Sequence, residues 1–154
     1  MKLEYYLVFT PEESDPEMIN VEGRGSLDGV ITFGQGMEEA MANAQEALTA
    51  FLASLVEHGE PIPRPTEAQP SGEAGRVFAV EPEPEVAIPI LLRWAREEAH
   101  LTQGDVAKRL GVSYQAYQKL ERPGANPTIK TMKKAARVLG WELELGLAAP
   151  RRGA

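Results

Sequence analysis

Between Tyr114 and Arg122 the chain places a phenol (Tyr114), two amides (Gln115, Gln118) and two cations (Lys119, Arg122). A glutamine amide presents a donor and an acceptor in one plane, so it can pair bidentately with the major-groove edge of adenine. Gln115 is the best placed for that pairing. Lys119 and Arg122, with Lys108, Lys130 and Lys133 nearby, supply attraction to phosphate that is blind to sequence and weakens with salt. This is recognition chemistry rather than bond-making chemistry. The chain has no cysteine, and its two histidines, His58 and His100, lie far apart with no second ligand beside them. Neither a metal site nor a cofactor is expected. The bland alternative is a set of solvated helix faces in a bundle that binds no DNA, and the flanking residues decide between the two.

Those flanking residues read as helices in close contact. From Val86 onward Ile88, Leu91, Leu92 and Ala95 make an apolar face, with Trp94 and Arg96 beside it. Thr102 is a natural N-cap for a helix over Gln103–Leu110, and Gly111 permits the left-handed conformation that ends it. Ser113 then caps Tyr114–Glu121. Two helices joined this tightly restrict the size of side chains between them. Ala107 fits where the backbones approach, while Val106, Leu110, Val112, Tyr117 and Leu120 are expected to fill the core. Thr128 can cap a further helix with Ile129, Met132, Ala136 and Leu139 inward.

The stretch Leu101–Leu120, continuing through Asn126-Pro127-Thr128, resembles the Cro and phage-repressor class of helix-turn-helix domains. Tyr117 departs from that class, which has a smaller branched apolar residue there. The resemblance implies that the Tyr114–Glu121 helix enters the major groove by its N-terminal half, from Ser113, with Tyr114, Gln115 and Gln118 reaching base edges. It also implies that Gln103 clamps a backbone phosphate. The partner is then double-stranded operator DNA. A homodimer or higher homo-oligomer is expected, because one such helix covers only a half-site. Trp141, Leu143, Leu145 and Leu147 alternate with Glu142 and Glu144. They suit either a final strand pairing with a dimer mate or packing on their own domain.

Charge divides the 154 residues in two. Residues 1–85 carry four basic and seventeen acidic side chains, a net −13; residues 86–154 carry twelve and six, a net +6, giving −7 for the whole. An acidic module joined to a basic one suggests partners of opposite charge. The apolar fraction, 43%, is that of an ordinary soluble protein. With no signal-peptide pattern and no bilayer-length apolar run, a cytoplasmic protein without membrane contact is expected.

In the acidic half Leu3, Tyr5, Leu7 and Phe9 alternate with Glu4, Tyr6 and Val8, the period of a strand. Met18–Glu22 and Val30–Phe33 read as two more strands, the last ended by Gly34 and Gly36, and Val77–Val80 as a fourth. From Met37 the period becomes helical, through Ala40, Met41, Ala44, Leu48, Phe51, Leu52 and Leu55, until Gly59 and Pro61. Pro61–Gly75 reads as loop. The expected organisation is an α+β domain over 1–82 (a small antiparallel sheet plus one long helix), a linker over 83–86, an all-α helix-turn-helix domain over 87–148 and a tail over 149–154.

The strand pair, Leu27-Asp28-Gly29-Val30-Ile31-Thr32-Phe33-Gly34, the alanine-rich helix from Glu38 to Ala44, and Gly59-Glu60-Pro61-Ile62-Pro63 together resemble a HicB-type antitoxin. One branch of that family carries a C-terminal helix-turn-helix, so the two resemblances meet in one chain. The resemblance implies a truncated RNase H-like sheet and a partner that is a small basic HicA-type toxin, an mRNA-cleaving protein. It also implies repression of the chain's own operon. Glu12, Asp15, Glu22 and Asp28 are candidates for toxin contact because they flank the variable loops. The family's prolines between the second and third strands are missing from Val21–Gly29. A nuclease of RNase H type needs carboxylates converging on two metal ions. The opening strand offers only Glu4, so no catalysis is expected. A stand-alone regulator whose first domain dimerises or senses a ligand is the competing reading, and an RNA-cleaving enzyme the third.

Overall fold

The computed structural model describes residues 2–65 and 75–149. These fall into two compact units, the first ending at Pro84 and the second beginning at Glu85.

The first unit is a four-stranded antiparallel sheet with one long helix. Strands β1 (Tyr5–Pro11), β2 (Met18–Glu22), β3 (Ile31–Gln35) and β4 (Arg76–Val80) lie in the order β3-β2-β1-β4. Leu3, Tyr5, Leu7 and Phe9 are buried as their alternation requires. Val8, on the opposite face, is buried as well. The helix, α1 (Gly36–Glu57), buries Ala40, Ala44, Leu48 and Leu52, one residue per turn. Leu48 and Leu52 are wholly enclosed, each contributing about 1.5–3 kcal/mol relative to exposure.

β3 does not stop at Gly34 but runs through it. A Cβ at Gly34 would lie 2.3 Å from the Ala40 backbone nitrogen. Glycine is therefore required by the close approach of α1 to the strand, not by a turn. The Gly59–Pro63 block is tied to the sheet by the Tyr5 hydroxyl, which donates to the Pro63 carbonyl at 2.8 Å. Of the expected loop, residues 66–74 lie outside the described residues.

The second unit is helical: α2 (Pro84–Glu98), α3 (Gln103–Leu110), α4 (Tyr114–Leu120) and α5 (Ile129–Val138). The boundary between the units falls inside the expected linker, 83–86, and α2 begins there at Pro84, a residue whose missing N–H costs nothing in a first turn. Its buried residues are Val86, Pro89, Ile90, Trp94 and Ala95, so Trp94 is inward rather than flanking. Pro89 removes the helical hydrogen bond to the Glu85 carbonyl. That carbonyl accepts instead from the Gly124 N–H at 3.2 Å, anchoring the turn after α4.

The core joins Ala95, Val106, Ala107, Tyr117 and Leu139, with Leu92, Leu101, Leu110, Leu120 and Trp141 packed against it. Two expected core residues are exposed. Val112 (42%) stands at the apex of the α3–α4 turn, where nothing overhangs it, and Ile129 (56%) lies in the first turn of α5. The buried face of α5 centres further along, on Ala135, Ala136 and Leu139. Trp141 packs on its own domain, but residues 142–149 form no strand and Leu145 and Leu147 are exposed. Of the expected tail only Ala149 is described.

Candidate functional site

Each short helix of the second unit is set by its cap. Thr102 Oγ1 accepts from the Asp105 N–H at 3.1 Å, while Asp105 Oδ2 accepts from the Thr102 N–H at 2.9 Å. This reciprocal pair satisfies two donors that the helix start leaves open. It also holds the Asp105 carboxyl below its ordinary pKa, chiefly through the Thr102 backbone N–H. Gly111, at φ 72°, ends α3 by donating to the carbonyls of Ala107 and Lys108. Ser113 Oγ accepts from the Ala116 N–H at 3.1 Å, and Thr128 Oγ1 from the Thr131 N–H at 3.1 Å. All three caps sit where the sequence places them.

The helix so positioned has two unlike faces. Tyr117 and Leu120 turn into the core. Tyr114, Gln115, Lys119 and Arg122 are exposed and Gln118 is half-buried. Gln115 and Lys119, four apart, share one side of α4, and Arg122 follows just past its C-cap, Glu121. Lys119 and Arg122 also line an open groove closed on its other side by Pro123–Pro127. Lys108, Lys130 and Lys133 are exposed as well. Ser113 uses its hydroxyl oxygen as the cap acceptor, which leaves the O–H able to donate.

Beneath this face lies a charged network that the sequence reading missed. Among the described residues Glu121 is the buried charged side chain, 5% exposed. Its carboxylate accepts from Arg96 through Nε at 2.6 Å and Nη2 at 3.0 Å, from the Tyr117 hydroxyl at 2.7 Å and from Gln103 Nε2 at 2.9 Å. Arg96 Nη1 also donates to the Leu101 carbonyl at 3.0 Å, and the Tyr114 hydroxyl to Gln103 Oε1 at 3.2 Å. Burial disfavours the Glu121 anion, but the hydrogen bonds from Arg96, Gln103 and Tyr117 outweigh it and hold the carboxyl below the usual carboxylate range. Burial, then the bond to Glu121, pushes the Tyr117 phenol up. Tyr117, the departure from the repressor pattern, thus has a partner four residues on, one helical turn away.

The acidic candidates of the first unit do not form one patch. Glu12 and Asp15 are exposed in the β1–β2 turn, where Glu12 accepts from Ser14 Oγ at 2.9 Å and Asp15 from the Glu17 N–H at 3.2 Å. Glu22 ends β2, paired with Arg24, and Asp28 follows a short 3-10 turn, Gly25–Leu27. β2, roughly 14 Å long, separates the two pairs. Among the described residues no group of three His, Asp or Glu side chains is placed to hold a metal ion, and no helix is long and apolar enough to cross a membrane.

A helix-turn-helix family model matches residues 92–145, the span from α2 to beyond α5. The N-terminal domain of the Burkholderia pseudomallei antitoxin HicB is similar over 52% of this chain and 98% of that one, with 19% identity and a TM-score of 0.43. A UPF0150 protein of Thermoplasma acidophilum is 36% identical over 62 residues, 40% of this chain and 86% of that protein. On the extent of that last match, the chain belongs to the UPF0150 family, and it carries a helix-turn-helix domain.

Proposed function

We propose that the chain is an antitoxin that represses its own operon: the second unit binds operator DNA through α4, and the acidic first unit covers a small basic HicA-type toxin. The observation that carries the DNA half is the exposed pair Gln115 and Lys119 on α4, with Arg122 just past its end, on a helix capped at its own start and following a helix capped likewise. Gln115 pairs with adenine, Tyr114 and Gln118 touch neighbouring base edges, and Lys119, Arg122, Lys130 and Lys133 hold phosphates. Gln103 has two amide protons. One is bound to Glu121, which fixes the amide plane and leaves the other to clamp a phosphate.

The toxin half is supported by the HicB-like sequence pattern and by the net −13 of residues 1–85. Such a surface steers toward a basic RNA-binding protein and competes with RNA phosphates for it. The mode of action is binding, in the cytoplasm, without catalysis. Two copies form the DNA-binding species, because one α4 reads one half-site. The exposed Leu145 and Leu147 favour the C-terminal segment as part of that contact.

A reporter driven by the operon's own promoter tests the reading, in cells that also express the adjacent toxin under separate control. Expression of the full chain is expected to silence the reporter and restore growth. Restored growth with an unaffected reporter would remove the repressor half. A silenced reporter with persisting toxicity would remove the antitoxin half and leave a stand-alone regulator.

A further inference from the structure

On the first unit the apolar side chains left in water are concentrated at one place. Ile31 is 71% exposed, Phe33 60% and Met37 40%. Ile31 and Phe33 alternate along β3 with Thr32 and Gly34. Gly34 abuts Ala40 of α1, so Ile31 and Phe33 stand on the face turned away from the helix. In register beside them are Glu22, opposite Ile31, and Asn20, opposite Phe33. β3 is also an edge of the sheet.

An edge strand invites pairing with another strand. Here that route is obstructed. The outward Phe33 carbonyl accepts from Asn43 Nδ2 at 2.8 Å, and the outward Gln35 N–H donates to Glu39 Oε2 at 2.7 Å. Two side chains of α1 thus occupy two of the backbone groups that an added strand would use. What the edge still offers is its side-chain face.

That face has an acidic border. Glu22 stands beside Ile31; Glu17 accepts from Gln35 Nε2 at 3.2 Å, and its carbonyl from the Gly36 N–H at 2.7 Å, placing it at the other end of the strand. Glu38 and Glu39 follow Met37 in the first turn of α1. An apolar centre rimmed by one sign of charge matches a surface with an apolar centre rimmed by the other. A second copy would bring the same acids together and be repelled.

We propose that the Ile31–Phe33 face of β3, bordered by Glu17 and Glu22, is where the first unit docks a basic protein partner. The inference rests on the antitoxin reading and assigns its contact surface. Of the hairpin-tip acids, Asp15 adjoins this border through the Glu17 N–H, and Glu12 falls outside it.

The probe is a catalytically silenced HicA-type toxin, titrated calorimetrically into the full-length protein. Phe33→Ser and Ile31→Thr, both at exposed positions, are expected to weaken binding about 10- to 100-fold, as loss of a central apolar anchor does. Glu12→Gln, whose side chain bonds Ser14 within the turn, is expected to leave affinity within about threefold. Unchanged amide-exchange protection of β3 and α1 in each variant shows that the first unit is folded. Wild-type affinity in both β3 variants overturns the proposed surface while the antitoxin reading stands. No binding by the wild-type chain overturns the antitoxin reading and this surface with it. A β3 variant that loses self-association, with toxin affinity intact, assigns the face to a second copy and overturns the basic partner.

Discussion

The two units place their contact residues by opposite means. In the first, the exposed row Ile31 and Phe33 is held by sheet register, with a wholly apolar layer of Leu7, Phe9, Leu48 and Leu52 behind it. In the second, the polar row on α4 rests on a buried anion, Glu121, gripped by Arg96, Tyr117 and Gln103. A seven-residue helix cannot hold itself, whereas a strand laddered to its neighbour needs no polar underpinning. The acidic unit therefore keeps its charges on the rim and the basic unit puts one pair beneath its working face. The first arrangement tolerates changes of charge; the second does not.

That contrast can be broken most sharply at Arg96. With Arg96 and Glu121 side chains 14% and 3% exposed, Arg96→Met strands a buried carboxylate and should cost the second unit about 3–5 kcal/mol. Both tryptophans, Trp94 and Trp141, belong to this unit. Urea unfolding followed by tryptophan fluorescence therefore reads it alone, and an unchanged midpoint would show that the pair is dispensable.

Acid probes the same network more gently. The Glu121 pKa is lowered in the folded state, so its contribution is complete above the unfolded carboxylate value of about 4.3 and is lost as pH falls through the folded value. The fluorescence-detected stability of the second unit should decline on acidification below that value. Glu121→Gln should flatten the decline, and an equally steep decline in that variant would assign it to other carboxylates.

In the first unit the sensitive point is contact rather than charge. Gly34→Val would force α1 away from β3 and should cost about 1–3 kcal/mol, seen as lost amide-exchange protection in β3 and α1 with the tryptophan transition unmoved. The smallest effect expected is that of Ser113→Ala, about 1 kcal/mol through the lost cap, read in the same urea experiment as Arg96→Met.

How much of this was legible beforehand follows from the range of the interactions. Caps act over three residues and stripes over four, so Thr102, Gly111, Ser113, Thr128 and the Ala40–Leu52 face are readable locally. Glu121 and Arg96 lie 25 residues apart, and nothing local announces their pairing. The signal that was available is Tyr117, an unexpected hydroxyl in a core position with an acid one turn later. Ile31 and Phe33 read as ordinary strand residues because alternation says which side chains share a face, not whether that face is covered. Gly34 reads as a strand end for a similar reason, since the approach of α1 that demands it is tertiary. The split of Glu12 and Asp15 from Glu22 and Asp28 needed only the length of β2, once its ends were known.

The most direct test of the account is fluorescence anisotropy of the full chain on its promoter fragment and on a scrambled duplex, across a salt series, with Gln115→Ala beside the wild type. Expected are salt-sensitive binding to both duplexes, tighter on the promoter, and a Gln115→Ala variant that keeps the scrambled affinity while losing most of the preference. A chain that binds neither duplex at low salt, or a variant with its preference intact, would contradict the assignment of α4 as the helix that reads DNA.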